Sequence, residues 1–259
     1  MCRVFLIALL GCHLLLDLQA QTIIAHRGNH VRSPENSVES LAEAIRVGSH
    51  YVEIDLRTTR DGELVIMHDA TVDRTTDGKG AVRNLTMSQI RSLKLQPAPP
   101  SGTHRVPMLA DILQHARGKT RIYLDFKDAD VAQTLKVLKQ FRMDTAVVVY
   151  INHSSQFVSW RQQAPHIPLI VSLPDSVNSV AKLEQFLNVC DAEILDGDWA
   201  GYTRELVQFA HQRHRKIWAD IQSQSENQSD WDKALALDLD GLQTDHPEGL
   251  RQYLLIRKN

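Results

Sequence analysis

The chain has 259 residues, 43% hydrophobic and 23% charged, with a formal net charge of −2. This is the composition of a globular protein with ample length for a large core. The near-neutral balance and the lack of a basic run give no sign of a surface that tracks nucleic-acid phosphates, so no nucleic-acid partner is expected.

The first segment, "MCRVFLIALLGCHLLLDLQA", carries one positive charge, Arg3, ahead of an apolar stretch from Val4 to Leu16, and ends on the small residue Ala20. That is the layout of a secretory signal, and the run is shorter than the ~20 residues that span a membrane. Residues 1–20 are therefore expected to be removed on export, leaving residues 21–259 as a secreted or periplasmic protein. "LLGC" is a competing lipoprotein signal. Only in that case, through an acylated Cys12, is membrane contact expected. Of the three cysteines only Cys190 follows the signal, so no internal disulfide is available to the mature chain. Asn84, Asn152 and Asn227 each open an Asn-x-Ser/Thr triplet, which matters only in a eukaryotic secretory route.

"TIIAH", from Thr22, reads as a strand. The segment 36–48 reads as a helix with Asn36 as N-cap, Glu39 three residues on, and Gly48 at its end. "YVEIDLRTT" and "LVIMHD", separated by Asp61-Gly62, read as a hairpin-like strand pair. From about residue 70 to 105 the alternation lapses into a polar stretch with one short helix, "LTMSQIRSL", which reads as an insertion. Strand and helix signals then alternate to the end of the chain. About eight strand-plus-helix units in ~250 residues are the arithmetic of a closed α/β barrel. The expected fold is a (β/α)8 TIM barrel with a small inserted cap region after the second strand. A doubly wound open sheet is the competitor, but no dinucleotide glycine fingerprint follows the first strand.

In such a barrel the reactive side chains gather at the carboxyl ends of the strands. Glu53 and Asp55 are two residues apart and share a strand face, and Asp125 and Lys127 do the same. Close carboxylates raise each other's cost of ionisation unless a cation joins them. Glu53, Asp55 and Asp125 thus form an expected oxygen-ligand site for a divalent metal, Mg²⁺ or Ca²⁺. His26 and His68 both end strand-like runs and suit a general acid/base pair near neutral pH. Arg27 and Lys127 add fixed positive charge appropriate to a phosphate.

"HRG" at 26–28, "PEN" at 34–36, "EID" at 53–55, "HD" at 68–69, "TVDRTTDGKGAVRNLT" from Thr71, "YLDFKD", "KIWADI" and "GLQTDHP" together resemble the glycerophosphodiester phosphodiesterase family. The likeness runs from Ile23 to Leu250. It implies a metal-dependent barrel enzyme that cleaves a small-molecule glycerophosphodiester to glycerol 3-phosphate and an alcohol. It implies the same metal ligands, histidine pair and phosphate-binding Arg27 and Lys127. It also implies Glu35 beside the metal or the substrate hydroxyls, and Trp218 as a pocket residue. The chain departs from the family pattern in two places. Asp125 stands for the usual glutamate, and Trp218-Ala219-Asp220-Ile221 for the usual Trp-Thr-Val-Asn. A lysophospholipase D or phosphoinositide-cleaving lipase on the same barrel is a second reading. A non-catalytic phosphodiester-binding module is a third, but no histidine or carboxylate of the set is lost.

Overall fold

The computed structural model describes residues 21–96, 104–223 and 225–257. The expected signal segment, with Cys12, and residues 97–103 of the insertion lie outside them.

The strands are β1 (Thr22–Ala25), β2 (Tyr51–Thr58), β3 (Leu64–Ile66), β4 (Arg121–Phe126), β5 (Val147–Ile151), β6 (Leu169–Ser172), β7 (Ile194–Asp196), β8 (Lys216–Asp220) and β9 (Gly241–Thr244). The first helices are α1 (Val38–Arg46), α2 (Met87–Ser92), α3 (Leu109–Ala116) and α4 (Val131–Gln140). They are followed by α5 (Ser154–Gln163), α6 (Val180–Val189), α7 (Arg204–Gln212), α8 (Gln228–Leu235) and α9 (Pro247–Arg257). The sheet runs β1-β9-β8-β7-β6-β5-β4-β2 and closes through a parallel β1–β2 pairing. This is the expected eight-stranded parallel barrel, with helices outside it. β3 adds to the edge of β2 as an antiparallel hairpin, Leu56 opposite Ile66, around a Gly62 with φ +81°.

Strand alternation sorts the side chains into layers. Ile23, Ala25, Val52, Ile54, Leu56, Ile122, Leu124, Ile217, Ala219 and Leu242 pack outward into the sheet–helix core. Their neighbours Ile24, Tyr123, Val148, Ile170, Ile194 and Trp218 fill the barrel interior. Two residues further along the same inward faces come His26, Asp125, Asp196 and Asp220, at the carboxyl mouth. The alternation that builds the core therefore also builds the site.

The insertion is less polar in effect than its composition. Val72, Val82, Met87, Ile90 and Leu95 bury themselves with Val65, Met67 and Val106 in a small core of their own. Thr86 caps α2 through a capping box with Gln89.

The start of α1 corrects the sequence reading. Ser37 is its N-cap, accepting from the Ser40 backbone N–H, and Ser40 closes the capping box. Asn36 is instead in a left-handed conformation, φ +54°, with its side chain turned to the barrel mouth. Asparagine tolerates that backbone better than most residues.

Candidate active site

The "HRG" turn presses the end of β1 against α1. Gly28 has φ +81°, and a Cβ there would come within 2.4 Å of Ser40 Oγ and 2.7 Å of the Ser40 carbonyl carbon. Only glycine permits that approach. The turn aims the Arg27 backbone N–H at Glu53 Oε2, 2.7 Å away, and sends the Arg27 guanidinium over the mouth. There its Nη1 donates to Glu35 Oε1 at 3.1 Å, while Nε lies 3.7 Å from Asp55 Oδ2.

Glu53, Asp55 and Asp125 converge as expected, with a carboxylate oxygen from each lying within 4.8 Å of the other two. Glu53 is 3% exposed and Asp55 1%. Burial, then the charges of Asp55 and Asp125, push the Glu53 carboxyl well above its ordinary value. Burial and Asp55 likewise raise Asp125, against the pull of Lys127. Three crowded, buried hard oxygen donors fit a divalent cation, which would relieve that repulsion. Each is also fixed from behind. Asn36 Nδ2 donates to Asp55 Oδ2 at 2.7 Å, and Asn36 Oδ1 accepts from the Asp55 backbone at 3.2 Å. Asn152 Nδ2 donates to Asp125 Oδ1 at 2.7 Å, and Lys127 Nζ bonds Asp125 Oδ2 and lies 3.2 Å from Asp55 Oδ1.

Each histidine is held by a carboxylate. His26 Nδ1 lies 2.7 Å from Asp245 Oδ1, at the end of β9. His68 Nδ1 lies 2.7 Å from Asp69 Oδ1. An ionised carboxylate only accepts, so Nδ1 carries the proton in both rings and Nε2 is left for chemistry. Burial opposes ionisation of Asp245, but the His26 bond and the nearby His26, His30 and Arg27 hold its carboxyl below the ordinary range. Asp245 is in turn supported by Glu226, whose Oε2 accepts from the Asp245 backbone at 3.1 Å. His68 lies two residues beyond β3, and its carbonyl accepts from Arg57 at 2.7 and 3.0 Å.

Glu35 belongs to a different group from the three carboxylates. Arg74, from the insertion, grips Glu35 at 2.7 and 2.8 Å and Asp69 at 2.8 and 3.0 Å. Burial works against the Glu35 charge, yet Arg74 and Arg27 keep its carboxyl below the ordinary value. Asp69 is also held low, first by Arg74 and then by His68. The insertion is thus tied into the site through Arg74, a residue to which the sequence reading assigns no role.

Trp218 is the second correction. It is 2% exposed and packs in the barrel interior against Tyr51, with ring centroids 4.6 Å apart and the planes tilted by 57°. Its indole occupies the space over Gly241, where a Cβ would meet Trp218 Cδ1 at 2.6 Å. It lies one inward step below Asp220, so it floors the barrel and does not line the pocket.

The cavity over the site has a volume of about 220 Å³, and His26, Arg27, His68, Lys127, Tyr150, Asn152 and the three carboxylates are in its wall. Tyr123, Asp196, Asp220, Gln222 and Gln243 complete it. Among these, sequence reasoning singled out neither the tyrosines nor the glutamines, and named Asn152 only as the start of a glycosylation triplet. Asp196 and Asp245 each close a strand signal in the sequence, and Asp220 stands out there as a departure from the family pattern.

A barrel with acidic side chains at the mouth and two carboxylate-paired histidines defines a hydrolase-type site on a TIM-barrel scaffold. The chain belongs to the glycerophosphoryl diester phosphodiesterase family, whose pattern it matches over residues 26–249. It is 26% identical over 245 residues to the glycerophosphodiester phosphodiesterase of Caldanaerobacter subterraneus subsp. tengcongensis, covering 91% of this chain and 98% of that protein. In structure it resembles a glycerophosphodiester phosphodiesterase from Agrobacterium tumefaciens, with a TM-score of 0.80 at 22% identity, over 90% of this chain and 99% of that one. It also resembles an Oleispira antarctica phosphodiesterase solved with the product sn-glycerol-3-phosphate, with a TM-score of 0.79 at 22% identity, over 92% and 97% of the two chains.

Proposed function

We propose that the protein hydrolyses glycerophosphodiesters to glycerol 3-phosphate and an alcohol, using a divalent metal held by Glu53, Asp55 and Asp125. The observation that carries the reading is the pair of carboxylate-held histidines, His26–Asp245 and His68–Asp69, beside the three-carboxylate cluster. Family membership and the product bound in the Oleispira relative support it.

A divalent ion there would offset phosphate charge and acidify a water or hydroxyl bound beside it. Arg27 and Lys127, on either side of Asp55, provide fixed positive charge for the phosphate oxygens. One histidine takes the proton from the attacking oxygen as the new P–O bond forms. The bond from phosphorus to the alcohol oxygen breaks, and that oxygen takes its proton from the other histidine.

A small diester is favoured over a lysolipid because, among the described residues, the cavity wall is polar or tyrosine throughout. The deciding assay presents purified protein with a panel of glycerophosphodiesters and lysolipids, with and without chelator. Turnover confined to the diesters and abolished by chelator is the expected result. Preference for lysolipids would move the reading to the lipase, and binding without turnover to the non-catalytic module.

Export is part of the same proposal. It rests on the sequence of residues 1–20, and no helix among the described residues is long and apolar enough to cross a membrane.

A further inference from the structure

Around the barrel, β2 stands across from β7 and β4 across from β8. The carboxylate cluster, Arg27 and Lys127 occupy the β1–β2–β4 side of the mouth. The opposite wall carries Asp196 at the end of β7, Asp220 at the end of β8, Gln243 on β9, and Gln222 just after β8. The reaction outlined above uses none of these four.

That wall is short of hydrogen-bond donors. Asp196 is 3% exposed; Tyr123 Oη donates to its Oδ2 at 2.8 Å, and its Oδ1 has no partner. Gln243 is 5% exposed; its Nε2 donates to Asp220 Oδ1, which fixes the amide orientation and leaves Oε1 without a partner. Gln222 Oε1 is also unpartnered. Among the described lining residues, the orphaned buried side-chain atoms on this wall are therefore all acceptors, and the orphaned donor, Arg27 Nε, belongs to the other side. Such atoms cost free energy unless water or a ligand completes them. Burial and then the neighbouring Asp220, within side-chain hydrogen-bonding reach, raise the Asp196 carboxyl against the hydrogen bonds from Tyr123 and the Gly197 backbone, and a cation beside the pair would relieve that repulsion. Asp220 also stands where the family pattern quoted above carries no charge.

We infer that this wall is the subsite for the leaving alcohol, and that the preferred alcohol carries a primary ammonium group. An ammonium brings one positive charge, three donors and no acceptor, which matches two carboxylates and a set of orphaned acceptor oxygens. A hydroxyl would add lone pairs to a wall already rich in them. A quaternary ammonium would supply charge without donors. The substrate would then lie across the mouth as a zwitterion, its phosphate toward Arg27 and Lys127 and its ammonium toward Asp196 and Asp220.

The inference rests on the hydrolase reading above, and its test keeps the two apart. The metal-loaded protein is assayed with glycerophosphoethanolamine, glycerophosphocholine and glycerophosphoglycerol, in the native sequence and as Asp220→Asn and Asp196→Asn. The same diesters are titrated calorimetrically into the metal-loaded His26→Ala protein, with and without Asp220→Asn, to give Kd without turnover. The native protein should favour the ethanolamine diester over both others. Asp220→Asn should cut its advantage over the glycerol diester by about tenfold, in Kd and KM more than in kcat, as loss of a charge partner does. Asp220 is less buried than Asp196, so this variant serves if Asp196→Asn folds poorly. Equal use of the three diesters by the native protein, or an unchanged preference in a folded Asp220→Asn, overturns the inference. If no diester is turned over, the hydrolase reading fails, and the calorimetric ratios alone decide the subsite.

Discussion

Asn36 Nδ2 donates to Asp55 Oδ2 at 2.7 Å, so a residue with the chemistry of a helix cap orients a carboxylate at the mouth of the barrel. Ser37, one residue later, does the capping. The two neighbours therefore separate stability from site geometry. Ser37→Ala should cost ~1 kcal/mol of stability, as lost caps do, with metal affinity unchanged. Asn36→Ala leaves a buried carboxylate under-bonded, which should cost about 1–3 kcal/mol and weaken metal binding as well. Urea unfolding and calorimetric metal titration of both variants check this. Equal metal affinity in the two would remove Asn36 from the site.

Metal binding should stabilise the fold, and more so as pH rises. The folded-state pKa of Glu53 is raised above its ordinary 4.5 by burial and by Asp55 and Asp125. The folded metal-free protein therefore binds more protons than the unfolded chain above that pH. Its stability is fully present below the ordinary value and is lost as pH rises through the raised one. A cation at the cluster removes the cause. The gain in Tm on adding Mg²⁺ or Ca²⁺ should grow from pH 5 to pH 8, and a gain independent of pH would count against the cluster as the site.

Asp125 is shorter by one methylene than the family's glutamate, and both its oxygens are engaged, by Asn152 and Lys127. Asp125→Asn should lower metal affinity steeply, whereas Asp125→Glu should be far milder. If Asp125 serves only to pair with Lys127, Asp125→Asn would lose stability but bind metal as before. Titration of the two variants separates these outcomes.

His26→Ala and His68→Ala should each lose ~10²-fold or more in kcat with the fold intact, as removal of a positioned acid or base does. Near-native turnover of a diester with a poor leaving group by either variant would withdraw that histidine's role.

Arg74 bonds Glu35 and Asp69 together through four contacts of 2.7–3.0 Å, and Asp69 holds His68. Arg74→Ala should slow turnover about tenfold through a displaced His68, since a positioned general acid or base is worth ~10²–10⁴-fold. Arg74→Lys should not rescue it, because an ammonium cannot reproduce the two-sided fork. The readout is the pH profile of kcat/KM, which should shift in both variants if His68 loses its partner. Unchanged profiles would reduce Arg74 to a strap that only anchors the insertion.

The sequence by itself determined the barrel and the first ring of its site. Period-two alternation is a local property, so Glu53 and Asp55 had to share a face once Val52, Ile54 and Leu56 were committed to the core. The same logic aimed His26 and Asp125 inward. Only the tertiary structure decided which side chains meet across strands distant in the chain: Asp245 on His26, Asn152 on Asp125, Arg74 on Asp69 and Glu35. It also decided depth. Periodicity tells which face a residue occupies but not how far up the barrel it lies. That is why Trp218 turned out to be floor while Asp220, two residues on, reached the cavity. The left-handed turn at Asn36 is likewise held by tertiary contacts: its backbone N–H donates to the Arg27 carbonyl at 3.0 Å and its side chain bonds the Asp55 carboxylate.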